Sequence, residues 1–166
     1  MIVTKPFNPK PYITYGLLGA VVYCIPLIIF LSDPEYVQGW LLYLGNLFFL
    51  FAIVAFVYNF NKKRSENAGT LAMLTAGHIA TLMGIIASCL LAFILLIIMV
   101  PDYLHTGPPE SVVPGYDTTR GLSFMVFATA IIGNLSAGSF VSIIFPFALK
   151  ADQTREKVPR RKQAEL

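Results

Sequence analysis

The polar side chains best placed to do chemistry in this sequence are Asn46, His78 and Asn134, each embedded in a long run of apolar residues. His78, with Thr75 and Thr81 on its own helix face, has the ring nitrogens for a proton relay or an axial haem bond. A bis-histidine haem site would require a second intramembrane histidine. The chain has 2 histidines, and the other, His105, lies outside the apolar runs. The plainer reading places His78 near a membrane interface, about 10 Å from the start of an over-long helix. Asn46 and Asn134 suit interhelical hydrogen bonds worth about 0.6 to 2 kcal/mol, to each other or to neighbours. Together with His78 they are the candidates for a polar path. Asp102, His105, Glu110 and Asp117 carry metal-binding atoms, but their spacing matches no known site and fits a solvated loop better. No nucleophile elbow, metalloprotease helix, phosphate-binding glycine loop or paired acid accompanies them. Catalytic, cofactor-binding and metal residues are therefore expected to be none, and the protein is read as no enzyme.

The elements that must position these groups are four stretches free of Asp, Glu, Lys and Arg, at residues 12–31, 40–61, 71–100 and 121–149. Each reaches the ~20 residues that cross a ~30 Å hydrocarbon core. With 56% apolar and 13% charged residues over 166 positions, the chain leaves little material for a second domain. The expected fold is one all-α integral membrane four-helix bundle spanning residues 1–166. Of the 12 Lys and Arg residues, all except Arg120 flank the first span, lie between the second and third, or follow the fourth. Basic loops mark the cytoplasmic face, so both termini are expected there. The spans lack the intramembrane charge that an ion-coupled carrier normally uses. The basic tail at residues 150–166 serves as a topogenic flank, with anionic lipid as a second partner. Nothing points to nucleic acid.

Packing signals are unequal among the spans. In the third, Ala72, Ala76, Ala80, Gly84, Ser88 and Ala92 recur every fourth residue. Such a stripe permits close backbone approach, and its period of four drifts around a 3.6-residue helix, implying a crossing partner. The fourth span offers Thr129, Gly133 and Ala137, and beside them Ala130, Asn134, Gly138 and Ser142. Spans three and four are therefore expected to form the tight core, with Ala76, Ala80, Gly84, Ser88, Gly133, Ala137 and Gly138 at the contact. Span two, rich in Phe, is expected to face lipid in part. Cys24 and Cys89 fall inside spans, where cysteine packs as a small apolar residue. The segments Gly45-Asn46-Leu47 and Gly133-Asn134-Leu135 hint at a duplicated helix pair.

The opening Tyr15-Gly16-Leu17-Leu18-Gly19, the basic turn Asn61-Lys62-Lys63-Arg64, and a third helix starting Gly69-Thr70-Leu71 with Gly77 and Gly84 resemble uncharacterised four-helix bacterial integral membrane proteins, a domain of unknown function. The resemblance implies no activity or cofactor and supplies no functional residue; the expected location is the bacterial inner (plasma) membrane. From the residues themselves, the leading expectation is a small subunit or scaffold that binds another membrane protein or itself. The alternative is an oligomeric channel or transporter for a small neutral or amphipathic molecule, lined by Asn46, Asn134, Ser136, Ser139 and Ser142.

Overall fold

The computed structural model describes residues 8–33, 36–64, 69–100, 103–104 and 119–157, with side chains of the last segment described from Gly121 to Lys150. Helix α1 covers Lys10–Ser32, α2 Trp40–Arg64 and α3 Thr70–Met99. The fourth rod joins α4 (Thr119–Ala128), a π-helical turn (Thr129–Gly133) and α5 (Asn134–Lys157). Four of these segments are long and apolar enough to cross a membrane: Lys10–Ser32, Trp40–Lys62, Thr70–Met99 and Gly121–Lys150. The protein is thus an all-α, multi-pass helix bundle whose outer faces meet lipid.

Local chemistry explains the boundaries. Pro11 falls in the first turn of α1, where its missing N–H has no intrahelical partner to lose. The helix therefore begins at Lys10, slightly before residue 12, where the first span is expected to start. Val100, which precedes Pro101, takes an extended conformation (φ −100°, ψ 112°) and ends α3. No breaker follows Leu149 until Pro159, and Ala151, Gln153, Arg155, Glu156 and Lys157 are adequate helix formers. Helix α5 accordingly runs into the basic tail as far as Lys157. The loop residues Asp102, His105, Glu110 and Asp117, and the tail beyond Lys157, lie outside the described residues.

Helix α1 packs most extensively on α3 and then on α2, while the fourth rod packs on α3 and α2. The bundle order is therefore α1, α2, fourth rod, α3, which puts the consecutive helices α2 and α3 on a diagonal. Spans three and four do pack, with Gly77 of α3 against Ser142 and Gly138 against Thr81, and α1 approaches α3 closely as well. At the α1–α3 crossing a Cβ on Gly16 would stand 2.8 Å from the Gly84 nitrogen and 3.1 Å from the Ala80 carbonyl oxygen. Only residues without a side chain allow two helices this near.

The Phe-rich span faces outward in part, as expected, through Tyr43, Leu47, Phe51 and Tyr58, and it also supplies much of the core. Helix α2 is the most enclosed of the four and α3 the least. Phe49, Ile53 and Phe56 are fully buried, while Phe51 faces outward. At one end of the bundle Tyr12 and Tyr15 meet Phe56, with ring centroids 5.5 and 5.4 Å apart. Trp40 and Tyr43 stand exposed at the opposite end, at the start of α2. An exposed aromatic pair at a helix terminus suits the headgroup region.

Candidate functional site

A helix interior in lipid offers a polar side chain two outlets, its own backbone carbonyls or a neighbouring helix. Most polar groups here use the first. Thr14, Ser32, Thr75 and Thr81 each donate to the carbonyl four residues earlier, at 2.9 Å. His78 does the same: Nδ1 lies 2.8 Å from the Leu74 carbonyl, and since a carbonyl only accepts, Nδ1 carries the proton. His78 is half-buried and bound to its own helix. It stands ten residues, about 15 Å, along α3 from Ser88, where the asparagines gather. The structure does not bring it into a path with Asn46 and Asn134.

Those two asparagines come to the same level of the bundle. Asn46 projects from α2 against Gly133 of the π turn; a Cβ there would occupy the position of the Asn46 amide. The next residue, Asn134, is fully buried and directs Nδ2 toward the Ser88 hydroxyl of α3 at 3.5 Å. Neither Oδ1 atom has a hydrogen-bond partner. Because an amide pair would need one of those oxygens as acceptor, the asparagines are not bonded to each other.

Tyr23 completes this layer from α1. Its ring covers Gly45, where a Cβ would lie 2.9 Å from both the ring and the Tyr23 carbonyl oxygen. Its hydroxyl is buried and closes no hydrogen bond. Thr129 spends its proton on the carbonyls of Met125 and Val126, at 2.8 and 3.0 Å. Cys24 is a buried free thiol and Cys89 a half-buried one.

The π turn sets the register of these contacts. A wider i to i+5 turn shifts all later residues around the rod. Thr129 and Asn134, five apart, both point inward, whereas Gly133 turns toward α2. Gly138 then admits Thr81 of α3, and Gly77 of α3 admits Ser142. Of the expected contact residues, Ala76, Ala80, Gly84 and Ser88 are buried on α3. Gly133 serves α2 instead of α3, and Ala137 is only half-buried. Gly77 and Thr81, which form the seam with α5, fall outside the period-four stripe and were not singled out by it.

Below the polar layer the interior closes. The Phe49 ring is wedged between α1 and α3, 3.0 Å from a Cβ placed on Gly19 and 2.6 Å from one placed on Gly84. Ser136 faces outward and Ser139 is half-buried. The five residues expected to line an oligomeric lumen therefore do not share a surface. Among the described residues no group of three or more His, Cys, Asp or Glu side chains gathers as a metal site.

Comparison with protein-family models, curated proteins and solved structures finds no match. The likeness to uncharacterised bacterial membrane proteins thus rests on the four-helix layout alone, and no family is identified.

Proposed function

We propose that this is a non-enzymatic subunit or scaffold that associates laterally with another membrane protein. The reading rests on where the polar side chains point. A pore built by several copies needs polar groups on their shared surface, yet Asn46, Asn134 and Ser142 are turned into the single bundle. A passage through one copy would have to displace the buried Phe49 ring from between Gly19 and Gly84. The outward surface is instead apolar, and on α3 it forms a band from Leu82 through Ile86, Leu90 and Ile94 to Ile98. Another transmembrane helix or lipid can cover such a band through van der Waals contact.

The termini belong on the cytoplasmic side of the plasma membrane in this reading, supported by the asymmetry of Lys and Arg. Reporter fusions after Leu166 and within residues 105–118 should give opposite sidedness. The function itself is tested by extraction in mild detergent, with mass determination and identification of each chain in the complex. A stoichiometric unlike membrane protein, lost on Ile86→Asn or Leu90→Asn, is the expected result. A lone monomer or a homo-oligomer with solute flux in proteoliposomes overturns it.

A further inference from the structure

The polar layer contains more hydrogen-bonding capacity than its residues satisfy. Tyr23 and Asn134 are fully buried and Asn46 is 8% exposed, yet the Tyr23 hydroxyl and both asparagine Oδ1 atoms have no partner. Leaving such a group unpaired in an interior is unfavourable, because nothing replaces the bonds it would make in water. Three such atoms at one level, contributed by α1, α2 and α5, can share one partner. Their proximity follows from the packing: Tyr23 covers Gly45, Asn46 occupies the gap at Gly133, and Asn134 follows Gly133 in the chain. The π turn sits between α2 and α3 at this level. Irregular helical turns of this kind recur at functional positions.

The unmet atoms also define the chemistry of the partner. Two carbonyl oxygens require two donated hydrogens, and the Tyr23 hydroxyl can supply one in return. A cation would enter with no carboxylate among the residues of this layer, and an uncompensated charge in such an interior is expensive. We propose that Tyr23, Asn46 and Asn134 frame an intramembrane binding site for a small uncharged molecule with two donor hydrogens and one acceptor, the chemistry of water. Buried water commonly makes about three hydrogen bonds to groups of this type. Ser142, the fourth unpartnered polar atom, lies about two turns further along α5 against Gly77 and does not join the site.

Water is the probe. The full chain, labelled at asparagine and tyrosine and reconstituted in lipid nanodiscs, is measured by NMR magnetisation transfer from water to side-chain protons. Transfer to the amides of both Asn46 and Asn134 and to the Tyr23 hydroxyl is expected. Absence of transfer at Asn134 and Tyr23 overturns the proposal, including the case in which Asn46 alone is wetted. In Asn46→Leu, the Asn134 signal should lose its water transfer while the Asn59 amide, which is bonded to Tyr15 at the bundle end, keeps its own. Because the wild-type measurement decides the matter, failure of the variant to fold leaves the test intact. Persistence of transfer at Asn134 in a folded Asn46→Leu protein also counts against a shared ligand.

Discussion

Two interior regions of this bundle are built with the same device and differ in what it admits. At the α1–α3 crossing, Gly16 and Gly84 let backbones and the Phe49 ring come together with no polar side chain present. In the layer beside the π turn, Gly45 and Gly133 open the same kind of gap, and the gaps are filled by Tyr23 and Asn46. A missing Cβ is thus neutral as to chemistry: it gives a dry contact where the facing side chain is Phe49 and a polar one where it is the Asn46 amide. In lipid the dry crossing derives its stability from dispersion, because burial from hydrocarbon brings no hydrophobic gain. The polar layer gains only as far as its hydrogen bonds are completed.

The largest expected effect lies at the dry crossing. Gly84→Leu would place a Cβ 2.6 Å from the Phe49 ring and 3.2 Å from the Gly16 carbonyl oxygen, and would then add three more carbons. The backbone cannot yield without separating α1 from α3, so the cost should exceed the about 1 to 3 kcal/mol usual for overpacking. Size-exclusion profile and thermal unfolding in detergent should both change. An unaltered profile and midpoint would rule out this crossing.

Phe49→Ala probes the same region in the opposite sense, by removing the filler. The ring occupies space between Gly19 and Gly84 that neighbouring glycines cannot fill. Soluble cores lose about 3 to 5 kcal/mol for such a truncation. Here the loss should be smaller, about 2 kcal/mol, since only contacts are forfeited. A thermal midpoint equal to that of the parent would show that α1 and α3 do not depend on the wedge.

How much of this contrast is legible in the sequence depends on which physical signal carries it. Charge-free length identifies the four spans, and α3 occupies Thr70–Met99 where residues 71–100 are expected. The small-residue stripe correctly marks a buried face of α3. It does not reveal that Gly84 faces α1 while Ser88 faces Asn134, because a period of four winds between two partners. The two asparagines are conspicuous as amides in apolar runs, but their common level depends on the π turn, for which Thr129 to Gly133 carry no sequence signature. The diagonal placement of α2 and α3 is equally silent, since chain order does not fix bundle order. His78 is the converse case: a conspicuous residue whose hydrogen bond stays within its own helix.

In the polar layer, Asn134→Leu removes the contact to Ser88 and one unpartnered oxygen together. These opposing terms leave a modest expected cost, about 1 kcal/mol, within the range for interhelical hydrogen bonds in membranes. The double variant with Asn46→Leu should cost less than the sum of the singles, by about 0.5 kcal/mol or more, because both asparagines serve one partner. Strict additivity in a double-mutant cycle would separate the two residues energetically and remove the distinction between a shared layer and two independent amides.

The smallest effect is expected where a polar pair is already complete. Asn59 of α2 donates to the Tyr15 hydroxyl of α1 at 2.8 Å, close to the aromatic cluster of Tyr12, Phe56 and Phe60. This pair is only partly buried and lies near the helix ends, where water can replace either partner. Tyr15→Phe keeps the ring that meets Phe56 and deletes the hydroxyl alone. Its cost should be about 0.5 kcal/mol, near the average for hydrogen bonds between transmembrane helices. If Tyr15→Phe instead destabilised the protein more than Asn134→Leu, the satisfied end pair would outweigh the unsatisfied central layer. The polar interior would then be a by-product of helix packing, with the bundle's polar anchor at its edge.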